Sequence, residues 1–247
     1  MAIQISGPDD AEVTWTIEVP ASDRLAWGLG ALDGELAAAV ATVRVAGGGR
    51  CRLWIDHVAN GDDELVARWG FVPYRDLWQL RRALPAPSSD LAVRPFEPDD
   101  AAALLALNRR AFGWHPEQGD MTADDLRERQ CEPWYDPAGF LLHERQGRLA
   151  GFCWTKLHPA GALVPEDPAM GEIYVIAVDP DFQGQGIGAP LTLAGLRYLH
   201  SRGPTTAMLY VESDNGAANA VYERLGFRRH HTKRAYVADL RADGGDR

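Results

Sequence analysis

The sequence predicts an α/β fold in which helices pack on a mixed β-sheet. The main observation is a β-branched apolar run at residues 173–178, which ends at Asp179-Pro180 as a buried strand would. A glycine-rich loop at residues 183–188 follows, and apolar residues then recur at helical spacing through residues 191–199. A further strand and helix, expected at residues 206–211 and 216–225, repeat the alternation.

Bulk composition narrows the functional class. The chain of 247 residues is 46% hydrophobic and 24% charged, which is ordinary for a soluble globular protein. Its formal net charge of −10 argues against a general nucleic-acid or membrane-surface binder, because both need a basic face. No apolar run approaches the roughly 20 residues of a membrane span, so we expect a cytoplasmic protein. We also expect a monomer.

Cysteines and histidines show no metal-binding spacing. The three cysteines are far apart in the chain and form no Cys-x-x-Cys pair. The seven histidines include no His-x-x-x-His spacing, and we interpret His230-His231, near a terminus among Arg and Lys, as a solvated edge. We therefore expect neither a disulfide scaffold nor a metal site.

The first half of the chain is predicted to contain short strands and one helix. A long apolar run at residues 36–45 follows an Asp33-Gly34 turn and is expected to be a strand. A helix is expected at residues 62–69, with Gly70 as its C-terminal stop. Other strands are expected at residues 15–19, 52–56 and 76–82.

The second half carries the hairpin and helices that lead to the glycine-rich loop. A hairpin around Gln146-Gly147 is expected to join strands at residues 140–143 and 149–157. A last strand at residues 232–237 is expected to close the sheet of this half. Before the hairpin, a strand is expected at residues 91–95 and helices at residues 101–111 and 122–129.

The two halves resemble each other, which predicts a tandem arrangement with a truncated, degenerate N-terminal copy. The Asp33-Gly34 turn is paired with Gln146-Gly147, and Gly70-Phe71 after a helix with Gly226-Phe227. This pairing leaves the first half short between the two landmarks, so its phosphate loop is predicted to be deleted. The expected domains are residues 1–84 without the loop, a linker at 85–90, an active domain at 91–240 and a disordered tail at 241–247.

The loop at residues 183–188 fits neither of the common nucleotide motifs. It has no Gly-Lys-Ser/Thr ending, so it is not a Walker loop. Its third glycine, Gly188, comes one residue too early for the dinucleotide fingerprint, and no acidic residue stands out about 20 positions later. By itself the loop is equally compatible with a tight strand-to-helix turn.

Two signatures together resemble the GNAT-type N-acetyltransferases. One is Gln-x-x-Gly-x-Gly after a strand that ends Val-x-Pro, and the other runs from Asn215 through Tyr222 to Leu225-Gly226-Phe227. The resemblance covers about residues 90–240 and implies a GNAT acyltransferase fold with acetyl-CoA as the acetyl donor and no metal. The cofactor-binding residues that it implies are Ile176, Ala177, Val178, Gln183, Gly184, Gln185, Gly186, Ile187, Gly188, Ala189, Asn215, Ala218 and Asn219.

Longer strings resemble the mycothiol synthase branch of that family. They include His115-Pro-Glu-Gln-Gly119, Trp154-Thr-Lys-Leu-His-Pro159 and Leu209-Tyr-Val-Glu-Ser-Asp-Asn215. This resemblance implies acetylation of the cysteinyl amine of a cysteine–glucosamine–inositol conjugate. The expected partner is therefore a small aminoglycoside-like thiol, with neither nucleic acid nor membrane involved.

The same resemblance assigns roles to individual residues. Glu172, at the start of the strand before the loop, would be the general base, and the alternative is a solvated strand-end carboxylate. Tyr222 would protonate the coenzyme A thiolate, and the alternative is a buried core tyrosine. Glu117, Lys156 and Tyr210, with Glu172, are the substrate-binding candidates, although each is also an ordinary surface residue type.

Two other functions stay open. One is a GNAT transferase for another small amine or a peptide N-terminus. The other is an acyl-CoA-binding module without catalysis, which is disfavoured because the second half keeps the loop, Glu172 and Tyr222.

Overall fold

The computed structural model describes residues 3–7, 13–113 and 118–242. The chain divides into two compact units. The first comprises Met1–Gln79, Val211–Asn215 and Arg229–Arg247, and the second comprises Leu80–Tyr210 and Gly216–Arg228. Among the described residues, none of the helices has both the length and the apolar character that crossing a membrane requires.

Strands and helices alternate through both units. In chain order they are β1 (Gln4–Ser6), β2 (Trp15–Val19), α1 (Ala21–Ala26), α2 (Leu29–Val45), β3 (Gly49–Ile55), α3 (Asp62–Ala67), β4 (Val72–Ala83), β5 (Arg94–Pro95), α4 (Ala101–Phe112), α5 (Ala123–Gln130), β6 (Phe140–Arg145), β7 (Arg148–His158), β8 (Met170–Val178), α6 (Gly188–Ser201), β9 (Thr206–Glu212), α7 (Gly216–Arg224) and β10 (Arg228–Leu240).

The sheet of the first unit is mixed. Strand β1 is antiparallel to β2, β2 is parallel to β3, and β10 is antiparallel to β3. The prediction that the last strand closes the sheet of the second half is therefore wrong. Tyr236, Ala238 and Leu240 of β10 are buried in the core of the first unit, which fixes the strand there.

Residues 36–45 form the C-terminal part of helix α2, so the predicted strand is wrong. Four alanines occupy this stretch, and alanine has the highest intrinsic helix propensity. The buried side chains follow helical spacing, which places one apolar stripe on the core. These are Leu32, Leu36, Ala39, Val40 and Val43.

The Asp33-Gly34 pair lies inside α2 and is not a hairpin turn, so its pairing with Gln146-Gly147 is wrong as well. Gln146 and Gly147 have φ values of 54° and 71°, as a tight turn requires. Asp33 instead accepts a hydrogen bond from Trp69 Nε1 at 2.9 Å. The predicted deletion of the strand, loop and helix from the first half rested on this pairing and is not observed.

The second landmark, Gly70-Phe71, does match its counterpart Gly226-Phe227. Gly70 and Gly226 have φ values of 87° and 84°, and each ends its helix in the left-handed conformation. In both units the phenylalanine amide donates to the carbonyl five residues earlier, Val66 in one and Tyr222 in the other. The element order before this stop is also similar, β2–α1–α2–β3 in the first unit and β8–α6–β9 in the second.

At this spacing of 156 positions (226 − 70), the loop at residues 183–188 corresponds to residues 27–32. Gly28 and Gly30 then stand where the second unit has Gly184 and Gly186. Gly28 has φ −73° and precedes the first residue of α2, so these residues are part of the helix start and do not form a glycine loop. The degenerate copy has lost the loop conformation, while the residues themselves are present.

The second unit holds the glycine-rich loop on a sheet of order β9-β8-β7-β6-β5. Residues of α4, α5 and strands β6 to β8 form one core, which includes Leu104, Leu126 and Trp154. Helix α6 lies unusually close to the strands, because a Cβ at Gly195 would come within 2.6 Å of Cys153 Sγ. This close approach sets the position of the N-terminus of α6.

Candidate active site

Strands β8 and β9 separate immediately after Glu172. Their parallel ladder joins Gly171 to Ala207 and Glu172 to Met208 and extends no further. On its other edge β8 stays paired with β7 as far as Val178. The β9-facing edge of residues 173–178 is therefore open, and the predicted cofactor-binding residues Ile176, Ala177 and Val178 lie in this segment.

An irregularity in β8 coincides with the point of separation. The register between β7 and β8 shifts between Trp154 and Thr155, which leaves Tyr174 as an extra residue on β8. Such a bulge bends the strand and increases its twist, and it re-aims the neighbouring side chains. The gap between the two strands thus begins at a built-in bend of β8.

The loop at residues 183–188 presents backbone to solvent at the start of α6. Gly184 and Gly186 have φ values of 73° and 78°, which favour glycine. A Cβ at Gly184, Gly186 or Gly188 would meet nothing within 4 Å, so this side of the loop is open. No side chain caps α6, and its first turn carries no acidic residue. Its free N–H groups and its helix dipole make an anion-binding end.

Ion pairs anchor the segment that precedes the loop. Arg110 Nη2 lies 2.8 Å from Asp181 Oδ1 and 3.2 Å from Asp179 Oδ1, and Arg148 Nη2 lies 2.9 Å from Asp181 Oδ2. Arg148, and then Arg110, lower the pKa of the Asp181 carboxyl. Gln183 and Gln185 add side-chain bonds to the carbonyls of Val178 and Asp181. The loop is therefore held by its own neighbours.

Glu172 is buried and makes a short hydrogen bond. Its Oε2 lies 2.6 Å from Nε2 of His158 on the neighbouring strand β7. The residue directly opposite Glu172 on β7 is Lys156. The alternative of a solvated strand-end carboxylate does not fit, because the side chain of Glu172 is only 9% exposed.

Lys156 lies against two aromatic rings. Its Nζ is 4.7 Å from the ring centroid of Trp134 and 5.4 Å from that of Tyr174, both within cation–π range. Lys156, His158 and Trp134 line a cavity of about 970 Å³, which is large enough for a drug-sized ligand. Charged groups of both signs, from Glu132, Asp136 and Arg202, complete its polar lining.

Tyr222 is the buried residue of helix α7. Its ring packs edge-on against Phe227, with centroids 5.8 Å apart. Burial raises the pKa of Tyr222 well above its usual range, and the nearby Cys153 adds to the effect. Cys153 is the cross-strand partner of Ile176 in the open segment of β8.

The remaining predicted residues are distributed as follows. Ala218 and Asn219 are half-buried on α7, and Tyr210 is half-buried on β9. Asn215 belongs to the turn before α7, where its amide donates to the Glu212 carbonyl at 3.1 Å. Glu117 lies outside the described residues.

Sequence reasoning missed His158, to which it assigned no role. His158 and Glu172 are fourteen residues apart and meet only because β7 and β8 form an antiparallel pair. Strands β7 and β8 follow each other in the chain and pair antiparallel. A predicted register for this pair was the signal that could have placed His158 beside Glu172. The contact of Lys156 with Trp134 depends on the loop before β6, and no sequence pattern of this kind indicates it.

The fold and this site define an acyltransferase class, and the comparison with known families agrees. The family described as "Acetyltransferase (GNAT) family" matches residues 102–227. The chain therefore belongs to the GNAT family of acetyltransferases.

Particular relatives carry a more specific name. The chain is 42% identical to the mycothiol acetyltransferase of Streptomyces coelicolor, over 94% of this chain and 76% of that one. It is 48% identical to the mycothiol acetyltransferase of Thermobispora bispora, over 80% of this chain and 68% of that one.

Solved structures confirm the GNAT fold and its tandem form. A GCN5-related N-acetyltransferase from Sphaerobacter thermophilus superposes with a TM-score of 0.69 at 21% identity, covering 97% of this chain and 77% of that one. A tandem GNAT protein from the clavulanic acid biosynthesis pathway superposes with a TM-score of 0.63 at 16% identity, covering 96% and 78%. At these identities the likeness concerns the fold alone.

Proposed function

We propose that this protein transfers the acetyl group of acetyl-CoA to the cysteinyl amine of a cysteine–glucosamine–inositol conjugate, the last step of mycothiol biosynthesis. The observation that carries the proposal is the combination, within one unit, of the open edge of β8, the glycine loop and the buried Glu172. The 42% identity to a mycothiol acetyltransferase over 94% of the chain supports the choice of acceptor.

Acetyl-CoA would bind along the gap and the loop. The backbone N–H groups of residues 183–188 and the start of α6 suit a pyrophosphate, because no side chain caps α6 and the space beside Gly184, Gly186 and Gly188 is open. Ile176 and Val178 would offer backbone groups to the pantetheine chain on the open edge of β8. The predicted contacts of Ala189, Asn215, Ala218 and Asn219 complete this proposal.

Glu172 acts as the general base. A cysteinyl α-amine has a pKa of about 7.7–8.0, so only about a tenth to a fifth is neutral at pH 7, and a modest base suffices. Glu172 takes the proton from the attacking amine, directly or through one water. His158, hydrogen-bonded to Glu172, is a positioning residue that fixes the carboxylate and can pass the proton towards the cavity.

Tyr222 donates to the leaving sulfur. When the tetrahedral intermediate collapses, the carbon–sulfur bond breaks and negative charge develops on the thiolate. Because its pKa is raised, the Tyr222 phenol keeps its proton until the sulfur carries that charge. Its contribution is therefore a hydrogen bond, and finally a proton, to the thiolate.

The acceptor would occupy the cavity lined by Trp134, Lys156 and His158. Lys156 can donate to sugar hydroxyls, and the face of Trp134 can pack on the apolar face of a sugar ring. Tyr210 and Glu117 stay predictions as substrate-binding residues.

An acceptor panel tests the proposed function. Coenzyme A release is measured with the cysteinyl conjugate, glucosamine, free cysteine and a peptide with an N-terminal cysteine. We expect kcat/KM for the conjugate to exceed that for every other amine by at least 100-fold. Comparable values for simple amines or peptides would refute the choice of acceptor but not the fold. Tight acetyl-CoA binding without turnover on any acceptor would favour a non-catalytic acyl-CoA module.

A further inference from the structure

Three histidines converge in the first unit, which contains neither Glu172 nor Tyr222. His57 follows β3, and His230 and His231 lie on β10. One ring nitrogen from each of the three lies within 4.8 Å of the others. The interpretation of His230-His231 as a solvated edge is wrong for His231, whose side chain is only 6% exposed.

The neighbouring carboxylate contacts two of the three rings. Asp56 Oδ1 lies 2.9 Å from His57 Nδ1 and 2.9 Å from His231 Nε2. If both of these nitrogens carry the proton, His57 Nε2 and His231 Nδ1 keep their lone pairs. His231 Nδ1 is 2.9 Å from His230 Nδ1, so His230 Nδ1 would donate a hydrogen bond to it, and a bound metal would take the place of that proton. A carboxylate that holds the far nitrogen of a ligating histidine is the usual outer partner of protein zinc sites.

We propose that His57, His230 and His231 form a binding site for a divalent transition metal, with Zn²⁺ as the metal that the site favours. Imidazole nitrogens suit Zn²⁺, and three of them with one open position match its tetrahedral preference. The His57 and His231 rings are stacked with centroids 3.6 Å apart. Metal binding would require these two rings to leave the stacked arrangement by rotation about χ2, a broad torsion in histidine.

The surroundings suit a cation of this charge. The Asp56 carboxylate contributes a negative charge directly beside the rings. The ammonium of Lys233 is nearby on the same strand, and it is paired with Glu18. The positive charge of the metal would thus lie beside the Asp56 carboxylate, while the charge of Lys233 is neutralised by Glu18.

The metal would fasten the turn after β3 to strand β10. The backbone already joins them there, since the Val58 amide donates to the Thr232 carbonyl at 3.0 Å. His57 itself has φ 48°, an uncommon left-handed conformation for a residue other than glycine. This role is structural and is independent of the proposed acetyl transfer.

The test is metal titration of the full-length protein without a histidine tag. Calorimetry with ZnCl₂ should give one site per chain, and Co²⁺ should give the visible absorption of a tetrahedral nitrogen site. Zn²⁺ should also raise the melting temperature, because it binds the folded chain preferentially. His57→Ala should weaken Zn²⁺ binding at least tenfold, and Asp56→Asn by about 10- to 100-fold.

Two further variants keep the test decisive. His230 is exposed, so His230→Ala should fold normally and still weaken binding at least tenfold. His200→Ala, at an exposed histidine on α6, is the matched control and should bind Zn²⁺ like the wild type. Absence of a saturable one-to-one site in the wild type would overturn the proposal, and so would unchanged binding in His230→Ala. The cluster would then be a hydrogen-bonded imidazole–carboxylate network only.

Discussion

Replacing Tyr222 by phenylalanine isolates the chemistry of one hydroxyl. The ring keeps its edge-on contact with Phe227, so packing changes little. What is lost is a hydrogen bond to a sulfur that carries negative charge in the transition state. Hydrogen bonds to charged groups contribute about 1.5–3 kcal/mol, and each 1.36 kcal/mol is a factor of ten in rate. We therefore expect the acetyl-transfer step to slow about 10- to 150-fold.

The assay is single-turnover acetyl transfer with enzyme in excess over acetyl-CoA, followed by thiol release. The affinity for acetyl-CoA should stay within about twofold of the wild type, because Tyr222 acts on the transition state. Tyr236→Phe is the matched control, since Tyr236 is also buried but donates its hydroxyl proton to Asp63 in the first unit. Full single-turnover rate in Tyr222→Phe would refute the role of Tyr222 and leave it as a core tyrosine.

Three further predictions follow from the described geometry. Gly186→Ala should raise the KM for acetyl-CoA about tenfold, because a side chain at φ 78° is strained and faces the open side of the loop. Gly147→Ala is the control, since Gly147 has φ 71° and equally open space but lies in a hairpin. This variant should leave the KM for acetyl-CoA unchanged. His158→Gln should lower kcat about 10- to 100-fold with little change in the acetyl-CoA KM, and wild-type turnover in this variant would limit His158 to packing. At pH 8, a maleimide should label exposed Cys131 alone, because burial raises the pKa of the Cys51 and Cys153 thiols to about 12. Labelling is followed by mass spectrometry, and fast labelling of more than one thiol would contradict the described burial.

The sequence predicts the second unit well because its signals are local. The β-branched run, the glycines and the helical repeat of Leu191 to Leu199 each specify their own element. In the first unit, the Asp33-Gly34 pair is a hairpin signal only if strands flank it. The alanine-rich stretch after it favours a helix, and helix propensity summed over the run outweighed the two-residue turn signal.

Contacts between residues that are far apart in the chain were the hardest to predict from the sequence. The pairing of His158 with Glu172 depends on strand register, and the meeting of His57 with His230 and His231 depends on β10 joining the first unit. The latter contact spans more than two thirds of the chain and carries no local pattern. Gly28 and Gly30 show that a local pattern can also mislead. They match the positions of the loop glycines Gly184 and Gly186, but neither adopts the left-handed conformation of those two residues.

The most direct measurement offers the enzyme two amines at once. Acetyl-CoA is supplied with equal concentrations of the cysteine–glucosamine–inositol conjugate and the glucosamine–inositol compound that lacks cysteine, and the products are identified by tandem mass spectrometry. The proposed function predicts a single product, acetylated on the cysteinyl nitrogen with its thiol free. Acetyl groups on the glucosamine amine, or on both compounds in similar amounts, would contradict it.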